Sequence, residues 1–114
     1  MYELRPVAVT KVYWEFHLYY QESGLNGQVI GRICLFVDGH GALHLQLFKI
    51  DPAYQKQGHG RHGYQLLEQY IRTSTSFRTI AIQSTHSAQG FWLAMGYHPI
   101  YSFDDILVDM VKMI

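Results

Sequence analysis

The chain carries no excess charge of either sign: nine Lys and Arg residues offset nine Asp and Glu residues over 114 positions. That balance speaks against a strongly basic nucleic-acid surface and against an acidic tail. A local basic patch remains available at Lys56, Arg61 and His62. Cysteine is nearly absent. Cys34 stands alone, so no internal disulfide framework can form, and a cytoplasmic setting is expected. Its place between Ile33 and Leu35 predicts a small buried apolar residue rather than a reactive thiol. No apolar run approaches the roughly 20 residues of a membrane span. The densest, Ile33 to Val37, is five long. Strand-like alternation begins within the first ten residues, which is not a signal-peptide pattern. Repeats, low-complexity stretches and candidate linkers are also lacking, so a single domain over 1–114 is expected.

What is present is apolar and aromatic. Hydrophobic residues make up 48% and aromatics 15%, with nine tyrosines, which can serve one dense core or an interface. Residues 8–20 alternate: Val12, Trp14, Phe16, Leu18 and Tyr20 share one face, and Lys11, Tyr13, Glu15, His17 and Tyr19 the other. Period two predicts a strand. Glu22 to Gly27 predicts a turn, Val29 to Val37 a second strand with Gly31 as a bulge, and Asp38 to Gly41 a tight hairpin. Leu43 to Ile50 is the third strand, with Leu43, Leu45 and Leu47 to one side and His44, Gln46 and Phe48 to the other. A helix follows from Gly60 to Arg72, striped by Leu66, Leu67, Tyr70 and Ile71. Phe77 to Gln83 is a strand parallel to the third, because a helical crossover joins them. Residues 86–95 form a short helix capped by Gly96, and Tyr97–Ser102 with Ile106–Met113 a closing hairpin. The expected order is β-β-β-α-β-α-β-β in an α/β fold with a mixed, twisted sheet.

The informative stretch lies between the third strand and its helix. Gln55-Lys56-Gln57-Gly58-His59-Gly60 follows an apolar strand and opens a helix. Glycines let backbone approach a ligand closely. The free N–H groups of a helix's first turn, and its dipole, favour an anion such as phosphate.

The pattern Gln55-x-x-Gly58-x-Gly60 resembles the acetyl-CoA pyrophosphate loop of the GCN5-related N-acetyltransferase (GNAT) family. Ile50 to Tyr54 resembles that family's strand exit, and Ala88-x-x-Phe91-Trp92-x-x-x-Gly96-Tyr97 its later helix. The resemblance spans roughly residues 28–113 and implies an N-acetyltransferase with acetyl-CoA as co-substrate, set in a cleft between two splayed parallel strands. Amides of Gln57 to Arg61, with Gln55 and Lys56, would hold the pyrophosphate. Backbone of Phe48, Lys49 and Ile50 would meet the pantetheine arm and hold the developing oxyanion, and Ala88, Phe91 and Trp92 would line the cofactor side. The reaction implied is direct acetyl transfer to a primary amine.

Two departures bear on catalysis. Where the family often places a strand Glu as base, this chain has His44 and Gln46. Histidine titrates near neutrality and suits a base; a hydrogen-bonded strand histidine is the alternative. Gln46 can position a water. At the family's usual Tyr acid stands Trp92, which cannot protonate a thiolate. Tyr97 or Tyr101 could substitute, the thiolate could leave unaided, or the chain could be a non-catalytic acyl-CoA-binding or protein-interaction module. The family's two helices between its first strands are missing, since Glu22 to Gly27 alone separates the strands read here. An open acceptor groove follows, suited to protein or peptide amines, or completed by a second copy with Tyr13 and Tyr19 at a homodimer interface. His59-x-x-His62 and His40-x-x-x-His44 have ligand-like spacing. They lie in the loop and across a hairpin, with no fitting acidic or Cys partner, so no metal site is expected.

Overall fold

A computed structural model describes residues 1–100 and 106–114. The elements run β1 (Tyr2–Val9), β2 (Tyr13–Tyr20), β3 (Gln28–Val37), β4 (Leu43–Ile50), α1 (His59–Ser74), β5 (Thr79–Thr85), α2 (Gln89–Ala94), β6 (His98–Pro99) and β7 (Leu107–Met113). They build one seven-stranded sheet in the order β1-β2-β3-β4-β5-β7-β6. All neighbours are antiparallel except β4 and β5, which run parallel as the helical crossover requires. The mixed α/β fold expected from sequence is present, with one further strand at its N-terminus. No helix among the described residues is long and apolar enough to cross a membrane.

That further strand corrects the single strand read over residues 8–20. The Thr10 hydroxyl accepts the Tyr13 N–H at 2.9 Å, and the Thr10 N–H donates to the Tyr13 carbonyl at 2.9 Å. This hydroxyl-capped turn folds the chain back while the period-two pattern continues through it, so alternation alone does not reveal the break. The connection lacking helices is therefore residues 10–12, between β1 and β2; Glu22 to Gly27 joins β2 to β3. The continuation of the closing hairpin through Tyr101 and Ser102 lies outside the described residues.

A second correction concerns β4. Leu35 pairs with Leu45 and Cys34 with Leu47, so Gln46 is an extra residue with no partner on β3. Such a bulge shifts the alternation by one. Phe48 thereby joins Leu43 and Leu45 on the helix-facing side, packed against Tyr64 and Trp92, while Leu47 faces the same way as Cys34. The core unites Trp14, Phe16, Ile33, Leu35, Leu43, Leu45, Ile80 and Ile82 of the sheet with Tyr64, Leu67 and Ile71 of α1. Each fully buried aliphatic side chain contributes roughly 1.5–3 kcal/mol. Lys112 ties the second helix in, donating to the Met95 carbonyl at 2.7 Å and pairing with Glu68 of α1 at 2.9 Å.

On β3, Gly31 sits where a Cβ would come within 2.8 Å of the Lys49 backbone oxygen. Backbone cannot swing aside as a side chain can. Gly31→Ala is expected to lose about 1–3 kcal/mol of stability, seen as a lower urea midpoint at unchanged slope.

Candidate functional site

Parallel pairing between β4 and β5 covers Leu43–Ile80, His44–Ala81 and Leu45–Ile82, and there it stops. Beyond it β4 stays with β3 as far as Ile50, and β5 stays with β7 as far as Thr85. The two central strands therefore part just where the Gln46 bulge bends β4. A cleft opens whose β4 edge, residues 46–50, has no partner on β5.

On the helix side a cavity of about 310 Å³ is lined by Ile50, Tyr54, Gln55, Lys56, Gly58, Gly60, Arg61, Phe91, Ala94 and Met95. Its loop is held open by unusual backbone. Lys56 has φ 63°, and Gly58, the residue that starts α1, has φ 84°. Glycine takes that left-handed state without strain. Gly58 offers no side-chain cap, so the N–H groups of His59, Gly60 and Arg61 start the helix with no hydrogen bond among the described residues. With no acidic residue in that first turn and with Lys56 and Arg61 on the wall, this end attracts anions. The glutamine side chains brace the loop: Gln55 donates to the Ile50 carbonyl at 2.7 Å and Gln57 to the Ala53 carbonyl at 3.1 Å.

Several side chains of the expected cofactor residues point away from this cavity, while the expected backbone contacts of residues 48–50 lie on the open β4 edge. His59 is buried with its Nδ1 hydrogen-bonded to the Tyr2 hydroxyl at 2.7 Å, and His62 stacks on the Tyr2 ring at 4.7 Å. Both side chains therefore brace the loop from β1 instead of reaching into the cavity. Gln57 and His59 line a separate 190 Å³ pocket. Phe48 stands behind Phe91, ring centres 6.1 Å apart, and Lys49 is exposed beside Arg32 on the opposite sheet face. Trp92 is core, edge-on to Phe48, Tyr64 and Tyr97, and Ala88 packs against the same cluster. Tyr97 is buried too, accepting a hydrogen bond from the Tyr64 hydroxyl at 2.8 Å. Burial, then the neighbouring Tyr64, push its phenol far above the ordinary range, and it lines neither side of the cleft. Tyr101 lies outside the described residues.

On the opposite face a wider cavity of about 640 Å³ gathers Phe36, His44 and Gln46 with Gln83, Leu107 and Asp109. His44 Nε2 lies 2.8 Å from Asp38 Oδ2, and the His44 ring stacks on Phe36 at 4.9 Å and 6°. Asp38 also accepts the N–H groups of His40 at 2.7 Å and Ala42 at 3.1 Å through its other oxygen. The Ala42 N–H, then His44 and the His40 N–H, hold its carboxyl down to about 2. Sequence reasoning missed Asp38, Gln83 and Asp109. The hairpin register, which sets Phe36 opposite His44, was the available signal for the first. The others needed the β5–β7 pairing of Gln83 with Asp109.

Residues 3–97 match the family model for the Acetyltransferase (GNAT) family. No curated protein gives a significant match. Among solved structures, a Klebsiella pneumoniae protein provisionally named an acyl-CoA N-acyltransferase superposes with a TM-score of 0.80 at 17% identity, over 99% of this chain and 97% of that one. The PaiA N-acetyltransferase from Thermoplasma acidophilum, solved in complex with coenzyme A, gives 0.73 at 14% identity over 90% of this chain and 62% of that one. An acetyltransferase from Thermus thermophilus gives 0.71 at 20% identity over 93% of this chain and 67% of that one. At these identities the likeness is one of fold.

Because the Asp38 carboxyl is lowered from 3.8 to about 2 on folding, its contribution to stability is complete above about pH 5 and is lost as pH falls through 2. The stability gap between the wild type and Asp38→Ala, from urea melts at a series of pH values, is expected to be constant above about pH 5 and to shrink towards pH 2.

Proposed function

The chain belongs to the GNAT acetyltransferase family, and on that premise we propose that it transfers an acetyl group from acetyl-CoA to a primary amine, of a protein or peptide. The observation that carries this is the parting of β4 and β5 beyond Leu45 and Ile82, with the anion-ready loop on one side and His44 on the other. The chain's residues fit the cofactor. Three helix N–H groups unbonded among the described residues, a left-handed Gly58, and Lys56 and Arg61 on one wall suit a pyrophosphate.

When bound, acetyl-CoA supplies a thioester for the amine to attack, and a thiol pKa of about 8.5 makes the thiolate a fair leaving group. Residues 46–50 present an unpaired backbone edge to the cleft, where N–H groups stabilise negative charge developing on the carbonyl oxygen. A lysine-type amine is mostly protonated at neutral pH, its ordinary pKa being about 10.4. His44 accepts that proton, and Gln46 orients a water between them. Tyr97 receives no step in this scheme, because its hydroxyl is buried with Tyr64.

With no helices between β1 and β2, the acceptor side is open among the described residues, which suits an amine carried on a polypeptide. A cytoplasmic homodimer completes the reading. A single-chain mass by light scattering would remove the dimer. The second reading, an acyl-CoA-binding module without turnover, is favoured by the burial of Trp92 and Tyr97 away from the cleft. Thiol release from acetyl-CoA against a panel of amines separates the two: amine-dependent release supports the enzyme, and saturable CoA binding without release supports the module.

Two variants split the site. His44→Ala is expected to lower kcat by roughly 10²–10⁴-fold while the Kd for CoA stays put; unchanged turnover across pH 6–9 would contradict the assignment. Gly58→Ala is expected to do the reverse, weakening CoA binding by about 5–30-fold through backbone strain in the loop, as calorimetry would show.

A further inference from the structure

Asp38 reads in the sequence only as the start of a hairpin turn, yet it makes the one hydrogen bond found for the His44 ring among the described residues. Resting on the acetyltransferase reading above, we propose that Asp38 is a positioning residue: it holds His44 in the Nε2–H tautomer and leaves Nδ1 as the nitrogen that takes the proton of the acceptor amine.

The geometry divides the work of the carboxylate between its two oxygens. Oδ1 accepts the His40 and Ala42 N–H groups at 2.7 and 3.1 Å, which fixes Asp38 within the β3–β4 hairpin. Oδ2 is then held 2.8 Å from His44 Nε2. An ionised carboxylate only accepts, so Nε2 must carry the hydrogen, and in the neutral ring Nδ1 is bare. Phe36, stacked within 6° of parallel, fixes the ring plane. Both side-chain torsions of His44 are thus restrained before a substrate arrives. When Nδ1 takes the ammonium proton, Nε2–H stays hydrogen-bonded to Asp38. The proton passes afterwards to solvent.

Among the described residues the surroundings contain few competitors. On β4 the adjoining cavity residue is the neutral Gln46, and β5 offers Ala81 and Gln83. Asp109 of β7 lines the same cavity from two strands away. Across Phe36 stands Tyr13, whose hydroxyl is engaged with Glu15 and Cys34 and whose pKa is raised to about 12, first by Cys34 and then by Glu15. His40 in the hairpin is exposed. Among the described residues only Asp38 bonds the imidazole.

Asp38→Asn tests the proposal because it keeps the shape and reverses the hydrogen bond. The Asn oxygen still accepts from His40 and Ala42, but its NH₂ donates to Nε2, which forces the proton onto Nδ1 and removes the basic lone pair. Long-range ¹H–¹⁵N spectra of the imidazoles at pH 8, with His44→Gln to assign the signals, read the tautomer directly. We expect Nε2–H in the wild type and Nδ1–H in Asp38→Asn. Amine-dependent turnover should fall by roughly 10²–10⁴-fold with CoA affinity little changed and the variant still folded at the assay temperature. A wild-type Nδ1–H ring, an unaltered tautomer in the variant, or unaltered turnover and pH profile in the variant would each overturn the proposal. If the wild type releases no thiol with any amine, the acetyltransferase reading fails, and the spectra still decide whether Asp38 sets the tautomer.

Discussion

One extra residue in β4 sets the architecture of the site. Because Gln46 has no partner on β3, the strand bends and its alternation shifts by one. The bend ends the β4–β5 pairing after Leu45, which opens the cleft. The phase shift sends Phe48 to the helix side, where it supports Phe91 on the wall of the loop cavity. The same bulge leaves Gln46 itself at the mouth of the other cavity, beside His44. Without it, a continuous parallel pair would seal the centre of the sheet.

Around this opening the two halves of the site are built by different means. The loop end relies on backbone: left-handed Lys56 and Gly58 and the free N–H groups that start α1. It is braced from behind by aromatic packing, with Tyr2 of β1 holding both His59 and His62. The opposite end relies on side chains, with His44 fixed between Phe36 and Asp38. The N-terminal strand thus supports a loop more than fifty positions away in sequence, although it touches neither cavity.

The elements with strong periodicity were legible in the sequence. The α1 stripe, the parallel crossover, and the Gln55–Gly60 loop all follow from local pattern and chain chirality. What was not legible breaks a pattern without marking it. Thr10 folds a strand into a hairpin through its own hydroxyl, and Thr is an ordinary strand residue. Gln46 flips a strand with no glycine or proline to signal it. Residues lining the candidate cavity were legible where a short motif carries them, as in Lys56, Gly58, Gly60 and Arg61. They were hidden where tertiary pairing brings them together, as with Asp38 and His44, or Gln83 and Asp109. Trp92 and Tyr97 show the converse: residues on a motif whose side chains the core claims.

The central claim is that the gap between β4 and β5, and not another surface, receives the acyl-CoA. Amide hydrogen exchange with and without saturating CoA tests it most directly. Binding in the gap predicts slowed exchange at those amides of residues 46–50 that face away from β3 and at His59, Gly60 and Arg61, because these have open positions that the ligand would cover. Saturable binding that leaves both segments unprotected would contradict the account.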